Sequence, residues 1–169
     1  MLFRPRIDRV LFAATKADHL HHFSHDRLEA VLRRAVSGAV ARAETTGAEI
    51  DVVALAAVRA TREAQVAHGR DKLPSILGTP AAGESAGGEF FDGNTEVATF
   101  PGDLPLDPEP LFNSTDAFRG LSTQIAEKSD FRFLRFRPPK LEREGNDEPA
   151  LPHIRLDRAL QFLIGDKLS

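Results

Sequence analysis

The chain contains no cysteine, no tryptophan and no tyrosine, and a single methionine. Without cysteine there is no disulfide framework, no thiolate nucleophile and no sulfur ligand for a metal, and the redox compartment is not encoded. Aromatic packing falls to 12 phenylalanines. No apolar run approaches the ~18 residues that a membrane-crossing helix needs, and the amino terminus lacks a basic segment followed by a hydrophobic one, so the chain is expected to be soluble and cytoplasmic. Charge is close to balanced: 22 Lys and Arg stand against 25 Asp and Glu, a net of -3 with a pI near 6.1. That gives no general drive toward nucleic acid or an anionic membrane. The largest absence is chemical. No Gly-x-x-x-x-Gly-Lys-Ser/Thr, no Gly-Lys pair and no Asp-x-x-Gly occurs in the 169 residues. The backbone cradle, its lysine and the magnesium ligands of phosphoryl transfer are therefore missing. No catalytic residue is assigned, and these residues are expected not to hydrolyse a nucleotide alone.

What is present begins with Arg9 to Asp18. Val10 to Ala14 is a short apolar run of the kind that forms a strand buried in a parallel sheet, and it stops on Thr15-Lys16-Ala17-Asp18. That tetrapeptide then lies at the carboxyl end of a strand, where open α/β sheets hold their ligands. An ionised Asp18 offers two acceptor oxygens to the two adjacent donors of guanine, whereas adenine shows an acceptor at the equivalent ring nitrogen. Lys16 can lay its aliphatic stem along the base while its ammonium stays solvated.

A helix follows. Leu28, Val31, Leu32, Ala35, Val36, Ala39, Val40 and Ala43 recur at three- and four-residue spacing and define one apolar face. Asp26 and Glu29 have the capping-box spacing, Ser24 as cap would set Phe23 against Leu28, and Gly47 marks the stop. Ile50 to Leu55 is a second buried strand, parallel to the first because the crossover is a helix. It runs into Leu55-Ala56-Ala57-Val58-Arg59.

Thr15-Lys16-Ala17-Asp18 resembles the base-specificity motif Asn-Lys-x-Asp of P-loop GTPases, with Thr15 in place of Asn. Ala56-Ala57-Val58 is similar to the Ser-Ala-x motif of the next strand, with Ala56 in place of Ser; the resemblance implies that backbone amides at Ala57 and Val58 face the guanine carbonyl. The longer stretches Asp8 to His19, Asp51 to Thr61, Phe136 to Pro139 and Pro152 to Leu160 resemble the YcjX-like family across essentially the whole chain, as its carboxyl-terminal part. The resemblance implies a bacterial P-loop NTPase, linked by the family's usual description to stress responses. It implies GTP or GDP with Mg²⁺ in the intact protein and no tight nucleotide binding by this chain alone. ATP stays open because Thr15 departs from the GTPase pattern. The implied partner is an amino-terminal P-loop region outside this sequence, with Met1 expected to be an internal start or to reflect a split or truncated gene, and the last helix the natural carboxyl terminus.

The expected fold is accordingly α/β, the carboxyl-terminal part of a Rossmann-like P-loop NTPase sheet with parallel strands, covering helices and a long loop or hairpin elaboration. Residues 1–60 form the βαβ part with the base motif, 61–130 a loop-rich elaboration, and 131–169 the closing strand and helix. Glycines and prolines punctuate Gly78 to Phe112, so a long loop is expected there, with Leu73 to Leu77 and Val97 to Phe100 adding strands at the sheet edge. Gly83 to Gly88 lacks the lysine and helix start of a phosphate cradle. Phe131 to Arg137 reads as a strand stopped by Pro138-Pro139, its alternating Phe and Arg being the pattern of a half-buried strand rather than an RNA-reading one. Leu141 to Pro149 is an acidic turn, and the final helix spans Ile154 to Lys167, with Leu156, Ala159, Leu160, Leu163 and Leu168 closing over the sheet.

Two further expectations concern ligands and partners. His19, His21, His22 and His25 crowd into seven residues; with no cysteine beside them they read as a solvated loop next to the base site, since a metal would need a ligand from elsewhere. No metal is assigned, and His68 and His153 read as surface or packing residues. The alternative to nucleotide binding is a protein-interaction module that uses loop 78–112 or the basic strand 131–140, where Arg132, Arg135, Arg137 and Lys140 form an edge. The missing strands of the sheet would leave an open edge as well.

Overall fold

A computed structural model describes residues 7–86, 88–112, 134–140 and 150–168. Strand β1 (Arg9–Ala14) and strand β2 (Glu49–Ala54) pair in parallel, in register from Arg9 opposite Glu49 to Ala14 opposite Ala54. Between them run helix α1 (His25–Ala35) and helix α2 (Ser37–Glu44), which make the connection a βαβ crossover. Val52, Val53 and Ala54 are buried, with α1 and α2 packed on β2 and α1 also on β1. The mixed α/β class and the two parallel strands are as the apolar runs imply.

The single long helix is not. It breaks at Val36, whose φ of -99° and ψ of 11° leave the helical range, and the Ser37-Gly38 pair that follows is the composition at which helices bend. The amino-terminal signals are spent differently too. Ser24 makes no side-chain cap, and Phe23 is exposed and gathered against the rings of His21 and His22 rather than Leu28. Glu29 turns away from its own helix end: its Oε1 accepts from the amide of Ala54 at 2.8 Å and from the guanidinium of Arg155. In a parallel strand alternate residues point their amides to opposite sides. With Leu55 N–H donating to Ala14, the amides of Val52 and Ala54 face away from β1. Asp51 Oδ1 takes the first at 2.8 Å and Glu29 the second.

The remaining strands do not extend this sheet. Strand β3 (Arg62–His68), strand β4 (Asp71–Gly78) and strand β7 (Val97–Thr99) form an antiparallel sheet in the order β3-β4-β7. The pieces expected at 73–77 and 97–100 are thus strands of a separate sheet rather than additions to the edge of the first. Strands β5 (Ser85–Ala86) and β6 (Glu89–Phe90) make a small hairpin within the glycine-rich stretch. Of the expected strand 131–137, residues 131–133 lie outside the described residues. Leu134 to Arg137 pairs with the segment just after β4 through a single bridge, Pro80 to Phe136, flanked by Ala81 N–H to the Arg135 carbonyl at 2.7 Å and Arg137 N–H to the Thr79 carbonyl at 2.8 Å. Gly78 permits the approach, because a Cβ there would stand 2.6 Å from Phe136 Cδ1.

Helix α3 (Leu156–Ile164) packs on β1. Ala159 is buried, but Leu160, Leu163, Ile164 and Leu168 are exposed, so the stripe expected to close over the sheet is covered only in part. Arg158 grips Asp51 with a fork, Nη2 donating to Oδ1 at 2.9 Å and Nε to Oδ2 at 3.2 Å, and Arg9 bridges Glu49 and Asp166. The turn 141–149 lies outside the described residues. No helix among those described is long and apolar enough to cross a membrane.

Candidate functional site

The apolar residues of β1 end at Ala14, and the chain reverses through Lys16, which takes the left-handed conformation with φ 62° and ψ 36°. For a residue with a Cβ this costs roughly 1–2 kcal/mol, and the surrounding bonds hold it there. The turn brings Ala17 N–H onto the carbonyl of Leu55 at 3.1 Å, which ties the loop after β1 to the loop after β2. The buried ring of His25 reinforces the tie from below. Its Nε2 lies 2.9 Å from the Ala17 carbonyl, an acceptor only, so Nε2–H donates.

Asp18 completes the junction. Its Oδ2 accepts from Ala60 N–H at 2.9 Å, and its carbonyl accepts from the hydroxyl of buried Thr61. The side chain is 5% exposed. Around it Thr15, Lys16, Ala57 and Val58 are all exposed, while Ala56 is buried and bridged to Ile154. All five expected base-site residues are therefore within two loops joined at one end of the parallel pair. The exposed four form a rim, and Asp18 lies beneath it with one carboxylate oxygen already engaged. A cleft of about 920 Å³ adjoins the junction; its wall includes Ala60 and Thr61 but none of Thr15, Lys16, Asp18, Ala57 or Val58.

Sequence reasoning missed His25, Ala60 and Thr61, which hold Asp18 and Ala17 in place. Only His25 carried a signal, as one member of a histidine-rich run. That run is not a solvated loop: His21 is 5% exposed and His25 4%. Burial pushes His21 below the ordinary histidine range, despite the opposing charge of Glu63. Burial lowers His19 as well, against the charge of Asp18, and its ring meets Phe136 edge-on at 5.3 Å. His22 Nδ1 stands 2.6 Å from Glu63 Oε2, with its backbone N–H 3.2 Å from Glu63 Oε1. Burial works to raise the Glu63 carboxyl, but the His22 hydrogen bond and the neighbouring His and Arg charges bring it below its ordinary value.

The basic edge is largely consumed within the chain. Arg135 pairs with Glu84 at 2.6 Å, and Arg137 donates to the Gly93 carbonyl and to Asn94 Oδ1. Arg132 lies outside the described residues. A partner at 134–137 would have to displace these bonds.

A mixed α/β chain with its joined loops at the carboxyl ends of adjacent parallel strands has its exposed rim where open α/β sheets take ligands. It matches the YcjX-like family, DUF463, over residues 1–168, and belongs to that family. It is 35% identical over 167 residues to a protein named Ras-like GTPase YcjX from Escherichia coli (strain K12), a match covering 99% of this chain and 30% of that protein. A protein of the same name from Shewanella oneidensis is 31% identical over 169 residues, with coverage of 99% and 30%. The chain thus spans about a third of the length of these curated relatives.

Proposed function

We propose that this chain is the base-reading, carboxyl-terminal part of a GTP-binding YcjX-like protein, with Lys16 and Asp18 facing the guanine and the Ala57 and Val58 amides its carbonyl. The observation that supports it most is the junction itself. Two loops from neighbouring parallel strands are locked together by Ala17–Leu55 and Asp18–Ala60, and Lys16 is held in a strained turn that leaves its side chain exposed. A carboxylate with one oxygen bound by an amide retains acceptor capacity on the other. The naming of its relatives as GTPases favours guanine over adenine.

The residues present fit the base and not the phosphates. No lysine-bearing glycine cradle exists in the sequence, so the triphosphate, Mg²⁺ and hydrolysis belong to a P-loop region that this chain would join. The outer side of β1 suits that junction, because no strand lies along it among the described residues. When bound, the nucleotide supplies the phosphoryl group; this chain binds and selects its base.

The test is Asp18→Asn in the protein that carries its P-loop region, with GDP and XDP binding measured side by side. Loss of two bonds to a charged acceptor should weaken GDP about 100-fold or more, while xanthine, whose carbonyl accepts from the new amide, should gain. Unchanged affinity for both nucleotides would remove Asp18 from base recognition.

A further inference from the structure

We infer that His21, His22 and Glu63 form a binding site for one zinc-class divalent cation, beside the base-reading loops and separate from any nucleotide-bound Mg²⁺. The inference does not depend on the nucleotide reading. One ligand atom from each residue lies within 4.8 Å of the others. Two imidazoles and a carboxylate are the donor set that borderline cations such as Zn²⁺ take, and three protein ligands leave a fourth position open.

The geometry is supplied from two parts of the fold. His21 and His22 lie in the loop between β1 and α1, while Glu63 is the second residue of β3, 41 positions later. Sequence spacing alone gives two adjacent histidines and no third ligand; the fold brings the third. The Glu63 carboxylate is already oriented, because its Oε1 receives the His22 amide at 3.2 Å and lies 3.5 Å from Arg59 Nη2. Its Oε2 is turned to the His22 ring at 2.6 Å. His21 and His22 face each other with ring centroids 4.4 Å apart, and the Phe23 amide reaches His21 Nδ1 only at 3.5 Å, which holds that ring weakly.

A metal would take the place of the proton between His22 and Glu63. Ligand atoms about 2.0–2.1 Å from a tetrahedral ion stand about 3.3 Å apart, so the pair must open by a fraction of an ångström. The half-exposed His22 ring and partly exposed Glu63 side chain have room for that shift. Arg59 opposes the ion electrostatically, but it engages the other carboxylate oxygen. Nearby His25 is already used on the Ala17 carbonyl. Occupancy would pin the loop that follows Asp18 to the start of β3, close to Ala60 and Thr61.

Calorimetric titration of the 169-residue chain with ZnCl₂, together with the visible spectrum of the Co²⁺ form, tests this. The expected result is one equivalent of Zn²⁺ and the intense absorption of a four-coordinate Co²⁺ site. Glu63→Gln and His22→Asn should each weaken binding by more than the ~10- to 100-fold that loss of an outer-shell partner costs and abolish the Co²⁺ band, whereas His153→Gln changes neither. Far-UV circular dichroism without metal establishes that each variant is folded, and should one not fold, the other decides. Metal binding that is equally strong in folded Glu63→Gln and His22→Asn, or no binding by the unaltered chain, overturns the site.

Discussion

Strand β2 has its outward amides at Val52 and Ala54 held by Asp51 and Glu29, and its continuation at Ala56 held by Ile154. No strand lies along the outer side of β1 among the described residues. The two sides of one small sheet are thus treated oppositely. Inward-turned carboxylates and a crossing segment are ways of ending a sheet, and among the described residues they stand at β2. Among the described residues the difference makes β2 the finished margin of the pair.

The largest effect should come from dismantling the finished margin. Glu29→Ala leaves the Ala54 amide and the Arg155 guanidinium without their shared acceptor, and the expected loss is about 2 to 3 kcal/mol by urea unfolding. Glu29→Gln, which still accepts, should lose about half as much. An equal loss from both would mean that the hydrogen bond to Ala54 contributes little.

Amide exchange sharpens the contrast without mutation. The alternation that turns Val52 and Ala54 outward from β2 turns Leu11 and Ala13 outward from β1. In this chain the β1 pair should exchange at least about 10-fold faster than the β2 pair. In the longer protein, if strands are added to β1, the difference should close. Equal protection in the short chain would show that the β1 side is already covered.

Acid probes the histidine-rich loop and its contact with β3. Burial depresses His21 and His19, so each binds fewer protons folded than unfolded just below the ordinary histidine value near 6.5. Their contribution is complete above that value and is lost as pH falls below it. Glu63 is lowered by its His22 bond against the opposing effect of burial; its contribution is complete above the ordinary carboxyl value and is lost as pH falls through the depressed one. Urea midpoints at pH 7.5, 5.5 and 4 should therefore decline in two stages, by the smallest of the three effects. His21→Asn should reduce the upper stage to the share of His19, and a decline left intact by that substitution would assign it elsewhere.

The parallel pair was legible because its signal is local. Val10 to Ala14 and Ile50 to Leu55 are apolar runs bounded by polar residues, and an amphipathic helix separates them. Strand β3 was not legible, since Arg62-Glu63-Ala64-Gln65-Val66-Ala67-His68 carries little hydrophobicity and owes its form to β4, against which it pairs from Arg62–Leu77 to His68–Asp71. The base motif could be read as a motif, but what holds Asp18 lies 42 and 43 residues away at Ala60 and Thr61. Glu29 misled for a related reason. Its spacing from Asp26 fits a cap, yet its partners, at Ala54 and Arg155, lie 25 and 126 residues along the chain.

The closure of β2 also has a place in time. Ala56 and its partner Ile154 are separated by nearly 100 residues, which a ribosome takes on the order of 5 to 20 s to add. Throughout that interval the second strand exists while the segment that crosses its end does not. Glu29 and Asp51 are already made, so the nascent strand carries its own carboxylate guards from the moment it forms. The crossing segment and Arg155 then complete a margin that was protected during synthesis, when an open strand is most exposed to pairing with a neighbour.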